Sequence, residues 1–357
     1  MESGIAEAEA APEPGRTLRS PAELIEAGLL PADAAARLTA VAERYAIAVP
    51  PTLAALLTPG DPADPIGRQI LPDAAELDAT PDERADPIGD GRHAQRKGIV
   101  HRYPDRVLLV PTLACAVYCR FCFRRERVGP AGGAEALNTG ELAAALDYIR
   151  ERPEIREVVI TGGDPLVLAP HRLAGIVQAL DAISHLGTIR VHTRVPVAAP
   201  ERITEAMLAA LTSTKALFLA LHANHPREFG PEARDALRKL ARAGIALIGQ
   251  SVLLRGVNDD GPTLEALMRQ FVENRVKPYY LHHLDPAPGT GRFRTSIAEG
   301  QALMRHLRGR VSGLCQPHYV LDIPGGYGKS PIGPAYIDRE ANTLEDWQGQ
   351  RHPIKAD

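Results

Sequence analysis

The sequence predicts an α/β fold of parallel strand–helix units, curled into a whole or incomplete barrel. Three observations predict it. Short apolar runs of strand length lie at 106–111, 156–161, 188–194, 216–222, 245–252, 277–283 and 318–323. Amphipathic stretches near 140–151, 170–185, 203–213, 231–243, 262–274 and 299–310 separate them, as βα units require. Polar and glycine clusters fall just after the strands, at the end where such barrels build their sites.

Taken in order, residues 1–19 carry Pro, Gly and charge without apolar periodicity and read as a flexible tail. Ser20-Pro21-Ala22-Glu23 is a helix start, with Ser as cap, Pro at the first helical position and Glu three after the cap. A second helix follows Pro31 and runs through the Ala-rich stretch to about Tyr45. From Val49 to Gly98 the chain is broken by Pro and Gly, and Asp64-Pro-Ile-Gly67 recurs as Asp86-Pro-Ile-Gly89, which predicts two similar turns. Residues 20–103 are therefore expected to form a helical, loop-rich N-terminal region. The barrel occupies 104–312, where Thr139 and Ser184 sit at cap or end positions and Gly244 stops a helix. Residues 313–357 form a C-terminal segment with the last strand and a glycine-rich loop.

Apolar residues make up 45% of the 357, enough for a sizeable core. The formal net charge of −3 is dispersed, which gives no electrostatic reason to expect nucleic acid or an anionic membrane as partner. No apolar run reaches the length of a membrane span. The acidic, Ala/Pro-rich N-terminus is unlike a secretory signal. Three clustered cysteines and one distant one make no disulfide framework and suit a reducing, cytoplasmic setting.

The cysteines carry the chemistry. Cys115-Ala-Val-Tyr-Cys119-Arg-Phe-Cys122 is a C-x3-C-x2-C triplet on the loop leaving the first strand. Three thiolates can hold an iron–sulfur cluster through three of its four irons, leaving one iron open. The alternative is a structural zinc with Cys315 as fourth ligand, although zinc knuckles usually show two close pairs. Gly162-Gly163-Asp164 follows the second strand. It reads either as a strand-to-helix turn with Asp capping or as bare backbone that a ligand can approach closely. Pro324-Gly-Gly-Tyr-Gly-Lys329-Ser330 lacks the first glycine of a nucleotide phosphate loop. A lysine presented there on a flexible backbone suits Schiff-base chemistry with an aldehyde cofactor, or is a solvated turn.

Together these clusters are specific. His101-Arg-Tyr-Pro-Asp-Arg106, Cys115…Cys122-Phe-Arg-Arg125, Gly162-Gly163-Asp164, Asn224-His-Pro226, Gln250-Ser-Val-Leu-Leu-Arg-Gly-Val-Asn258, Pro278-Tyr-Tyr280 and Pro324-Gly-Gly-Tyr-Gly-Lys329 occur in this order. The order resembles that of the lysine 2,3-aminomutase family, radical S-adenosylmethionine (SAM) enzymes, over about residues 90–340. The resemblance implies a partial (βα)6-type radical SAM barrel and an isomerase that converts L-lysine to β-lysine. It implies three cofactors: a [4Fe-4S] cluster, S-adenosyl-L-methionine and pyridoxal 5′-phosphate (PLP). Cys115, Cys119 and Cys122 match the cluster ligands, and Lys329 the lysine that binds PLP. Arg124 matches the arginine that pairs with the substrate α-carboxylate, a bidentate task suited to a guanidinium. Asp285 and Asp322 match the two acids that hold the substrate ε-ammonium. Arg102, Tyr103 and Arg106 fall where the family holds PLP; Gly162, Gly163, Asp164, His222 and Gln250 fall at the SAM site. The acids favour lysine, since a glutamate side chain would be repelled there.

By the same resemblance an electron-donor protein and a homo-oligomer, dimer or tetramer, are expected as partners. The short C-terminus lacks the cysteine-rich metal site of long family members, so no structural zinc is expected there. That length is similar to the branch that supplies β-lysine for elongation factor P modification, whereas Asp322 fits a free-lysine pocket. An aminomutase acting on arginine is a further alternative.

Overall fold

The computed structural model describes residues 15–129 and 136–355. Most of the expected tail, residues 1–14, lies outside them. Within the rest of it, Leu18 exchanges backbone hydrogen bonds of 2.9 Å with Val49 in both directions.

The helices are α1 (Pro21–Glu26), α2 (Ala34–Arg44), α3 (Pro51–Ala54), α4 (Pro65–Ile70), α5 (Thr139–Arg150), α6 (Pro170–Asp181), α7 (Val195–Ala198), α8 (Glu205–Ala210), α9 (Pro231–Arg242), α10 (Gly261–Glu273) and α11 (Ile297–Leu307). The strands of the main sheet are β1 (Ala94–Arg96), β2 (Ile99–Tyr103), β3 (Arg106–Thr112), β4 (Glu157–Gly162), β5 (Thr188–Thr193), β6 (Ala216–His222), β7 (Ala246–Val252), β8 (Lys277–His282), β9 (His318–Ile323) and β10 (Gly328–Pro331). A small antiparallel sheet of β11 (Ile337–Asp338), β12 (Thr343–Glu345) and β13 (Arg351–Pro353) completes the chain's regular elements among the described residues.

Local chemistry explains the helix ends. The Ser20 hydroxyl accepts from Glu23 N at 3.2 Å, as its sequence predicts. Helix α5 is capped by Asn138 instead of Thr139. The Asn carboxamide oxygen accepts from Glu141 N at 2.9 Å, and Glu141 reaches back to Asn138 N at 2.9 Å. Gly244 ends α9 at φ +80°, where a side chain would be strained. The two Asp-Pro-Ile-Gly segments are not similar turns. Asp64 caps α4 through Ile66 N, because Arg68-Gln-Ile70 continues a helix with a buried face. After Gly89 comes Asp90-Gly91, and Asp86 instead folds the chain back by accepting from both of their amides.

Strands β1 to β10 lie side by side in sequence order, with β3 to β9 parallel and antiparallel partners at both edges. In that order every right-handed crossover puts its helix on the same face. That face carries the main core, where Val107, Val158, Ile189, Leu219 and Leu281 meet Leu173, Leu237, Leu264 and Leu303 of the helices. Alternate strand positions point the other way. There the residues are Arg190, His192, His222, Gln250, Tyr280 and His282, all half-buried. The edges of the sheet then approach one another. The Tyr103 hydroxyl of β2 accepts from Lys329 N of β10 at 2.8 Å, and Arg102 comes within 3.6 Å of Asp322. The result is a curled α/β sheet of the kind the sequence predicts, bridged laterally by side chains rather than by a strand ladder among the described residues.

Candidate active site

The cysteine loop leaves the C-terminal end of β3 and is fastened to the N-terminal region. Backbone amides of Tyr118 and Arg120 donate to Ala48 O at 3.0 Å and Gln69 O at 2.8 Å. Beneath it lies a buried ionic hub. Glu76 is fully buried and receives the guanidinium groups of Arg120 and Arg125, both also fully buried. Arg120 Nη1 donates to Ala46 O at 2.6 Å, and the Arg125 guanidinium stands 3.7 Å from the Tyr45 ring centroid. Residues 20–103 therefore brace the cysteine loop as well as covering it. Sequence reasoning missed Glu76; its only signal was the Asp73-x-x-Glu76 capping box.

The charges of the three cysteines act on one another. Burial, then the charges of Cys122, Asp164 and Cys119, pushes the Cys115 thiol well above its ordinary pKa. Burial and Cys119 push Cys122 up to about 11. A cationic cluster bound there would offset such costs, since coordination takes the proton's place. Cys315 is elsewhere. It precedes β9, in the helix-side core at the far ends of the parallel strands, so it cannot complete a zinc site with the triplet.

The glycine turn after β4 interlocks with this loop. Gly163 N donates to Thr112 O at 2.8 Å and Asp164 N to Ala114 O at 2.7 Å. A Cβ on Gly163 would sit 2.0 Å from Ala114 O, so only glycine fits. The missing side chains of Gly162 and Gly163 thus make room for the backbone of β3 and of the cysteine loop. The Asp164 carboxylate turns inward, accepting from Leu166 N at 3.0 Å, Thr193 Oγ1 at 2.8 Å and Arg194 N at 2.7 Å. It braces β5 against β4. Burial raises its pKa against those hydrogen bonds.

A chain of ion pairs runs from the cysteine loop to the glycine-rich loop. Arg124, two residues after Cys122, donates through Nε (2.9 Å) and Nη2 (2.7 Å) to Asp90. The other Asp90 oxygen accepts from Arg102 at 3.1 Å. Arg102 also approaches Asp322 at 3.6 Å, and Asp322 accepts from Lys329 Nζ at 2.6 Å. The cysteine loop and Lys329 therefore share one end of the barrel. Asp90 was not singled out in the sequence, where Gly89-Asp-Gly91 reads as an ordinary turn. The charges of Arg124 and Arg102 hold its carboxyl below the usual range although burial opposes them. Asp285 stands beside this chain. Burial and the nearby Asp322 charge push it up to about 8, while Lys329 pulls it down.

Tyr103 connects the predicted PLP residues. Its hydroxyl meets Lys329 N, and the Arg106 guanidinium lies 3.9 Å from its ring centroid. Gly89 and Gly326, both at positive φ, cross so closely that a Cβ on Gly89 would lie 2.5 Å from Gly326 N. His93 Nε2 meets Gly326 O at 2.8 Å, which fixes the loop that presents Lys329.

Three imidazoles line the interior. His222 stacks on Phe121 of the cysteine loop at 5.5 Å. Gln250 Nε2 lies 3.3 Å from His192 Nδ1. His282 stands 3.9 Å from Asp322. Burial first, and then Arg194, pushes His222 down to about 3. Burial, and then surrounding cations, Lys329 among them, also lower His192 and His282 well below the ordinary imidazole range. His192 and His282 are further residues the assignment from sequence passed over. Arg102 Nε, His192 Nε2, His222 Nε2 and Asp322 Oδ1 are buried without a hydrogen-bond partner. Buried polar atoms are rarely left so. Their convergence beside a half-exposed amine fits a polar cofactor and substrate between the cysteines and Lys329.

Comparison with known proteins gives the chemistry its family. Residues 109–267 match the radical SAM superfamily. The chain is 39% identical to the L-lysine 2,3-aminomutase of Clostridium subterminale over 85% of its own length and 73% of that protein. The chain belongs to the lysine 2,3-aminomutase family. It is also 37% identical to the Escherichia coli K12 protein of that name, over 81% of this chain and 83% of that one. A glutamate 2,3-aminomutase of Clostridioides difficile is 36% identical over 87% and 74%. The family's isomerase activity and the superfamily's [4Fe-4S] cluster and S-adenosylmethionine accordingly belong to this chain. No helix among the described residues is long and apolar enough to cross a membrane.

Proposed function

We propose that the protein is a PLP-dependent L-lysine 2,3-aminomutase that converts L-lysine to β-lysine. The observation that supports it best is the pair of carboxylates, Asp285 and Asp322, beside Lys329, with Arg124 at the other end of one ionic chain. Cys115, Cys119 and Cys122 would hold the cluster. Gly162, Gly163, Asp164, His222 and Gln250 would border S-adenosylmethionine. Lys329 would hold PLP, with Arg102, Tyr103 and Arg106 beside it. Residues 104–312 form the barrel in this reading, 20–103 its support and 313–357 the segment that delivers Lys329. When bound, the cluster with S-adenosylmethionine supplies a carbon radical, and PLP supplies a temporary acceptor for the migrating nitrogen.

The protein's own residues bind and orient. Asp322 now neutralises the Lys329 ammonium. Once that amine is engaged by PLP, Asp322 and Asp285 face an incoming ammonium instead. Such a cation favours the ionised form of Asp285, so lysine binding releases a proton below about pH 8. Arg124 offers a fork for the α-carboxylate, held in place by Asp90. Charges at both ends fix the Cβ–H toward the cluster side, which is what a radical reaction needs of its host. A glutamate side chain would meet two acids and be repelled.

The test is an anaerobic incubation of cluster-replete, PLP-loaded protein with S-adenosylmethionine, a reductant, and L-lysine, L-arginine or L-glutamate in separate arms. β-Lysine in the lysine arm alone is expected. β-Glutamate, or β-arginine in excess of β-lysine, would overturn the substrate assignment.

A further inference from the structure

Arg194 follows β5 and is almost fully buried, with 6% of its side chain exposed. Its guanidinium has a divided set of partners. Nη1 donates to Cys119 Sγ at 2.9 Å. Nη2 donates to Gln69 Oε1 at 2.7 Å and to Glu228 Oε2 at 2.8 Å. Its backbone N is bonded to Asp164, so the cation hangs from the glycine turn beside the cysteine loop.

The counter-charge is held as firmly. Glu228 is fully buried, and its other oxygen accepts from Asn224 N at 2.8 Å and His225 N at 2.9 Å. Asn224 in turn donates to Gln69 Oε1 at 3.1 Å, and Asn258 Nδ2 donates to Asn224 O at 2.9 Å. Four separated segments therefore converge to aim one N–H at one sulfur: α4, the end of β5, the Asn224-His-Pro226 turn and the loop after β7. Folding alone does not demand that aim, because a guanidinium paired with Glu228 and Gln69 is already satisfied on one side.

We propose that Arg194 is a positioning residue that sets the reduction potential of the cluster through its hydrogen bond to Cys119, with Glu228 as the counter-charge that limits the effect. This rests on the cluster reading of the triplet and is independent of PLP and of lysine. A cationic donor on a ligand sulfur stabilises the reduced, more negative cluster. Arg194 makes the cluster easier to reduce. Glu228, at the back of the same guanidinium, offsets part of that pull.

Two substitutions then shift the potential in opposite directions, which a merely structural role would not do. The experiment is a redox titration followed by electron paramagnetic resonance. It uses the full-length chain reconstituted with iron and sulfide, with and without S-adenosylmethionine. Samples are matched for iron content per chain. Arg194→Gln shifts the midpoint to more negative potential. Glu228→Gln, which leaves the cation without its carboxylate, shifts it to more positive potential. Arg194→Lys retains charge and recovers part of the Arg194→Gln shift. Equal potentials in wild type, Arg194→Gln and Glu228→Gln would overturn the proposal, as would shifts of the same sign in those two variants. Failure of the wild-type chain to bind a cluster would instead overturn the cluster reading.

Discussion

Replacing Glu76 by glutamine tests how the cysteine loop is held. The substitution keeps the shape and removes one charge. In the structure that charge faces two guanidinium groups, Arg120 and Arg125, neither exposed to water, with Arg292 3.7 Å away. A surface pair would matter little, but a buried cation stripped of its partner costs about 3–5 kcal/mol. Against a typical total stability of about 5–15 kcal/mol, that is a large fraction. Arg120 and Arg125 bracket Cys122, so loosening them should loosen the ligands as well. The assay is anaerobic urea denaturation of the apo chain, together with iron bound per chain after reconstitution. Glu76→Gln should unfold at clearly lower urea and bind less iron. Asp235→Asn is the control. It breaks the pairs of Asp235 with Arg238 and Lys239, whose side chains are about half exposed, and should change stability by no more than about 0.5 kcal/mol. A Glu76→Gln chain with wild-type midpoint and iron content would refute the view that the N-terminal region braces the cluster loop.

The site implies three further outcomes. Lys329→Ala should abolish the visible absorbance of protein-bound PLP while leaving the iron–sulfur absorbance in place; a retained PLP band would show that another amine binds the cofactor. Because Asp285 is pushed up to about 8, its ionised fraction grows as pH rises through that value. KM for L-lysine should therefore fall from pH 6.5 to 8.5, by at most about tenfold per unit, and Asp285→Asn should raise KM and flatten the profile. Gly163→Ala places a carbon against Ala114 O, at 2.0 Å in the present backbone, so that variant should lose cluster binding, measured as iron per chain, with far-ultraviolet circular dichroism retained.

Periodicity made the barrel legible. All seven parallel strands lie where apolar runs end in polar clusters, because one face of each strand packs on helices while the other lines the site. The cysteine triplet, the glycine turn and Lys329 stood out in the sequence because each is a local pattern of neighbouring residues. Asp90, Glu76, Arg194 and His282 were not assigned roles, and the reason is physical. Each works through partners far away in the chain, as Asp90 does with Arg124 and Glu76 with Arg120. A lone acid in a turn carries no mark of the cation it will meet. The repeated Asp-Pro-Ile-Gly shows the same limit: four identical residues begin a helix once and a turn once, and the neighbours on their C-terminal side, Arg68-Gln-Ile70 or Asp90-Gly91, decide which.

The central claim is that a radical made at the cysteine cluster acts on an amino acid held at Lys329. Lysine deuterated at Cβ, incubated anaerobically with the loaded protein, S-adenosylmethionine and dithionite, tests it most directly by mass spectrometry of both products. The account predicts deuterium in 5′-deoxyadenosine and in β-lysine. Deuterium-free 5′-deoxyadenosine, formed without β-lysine, would contradict it.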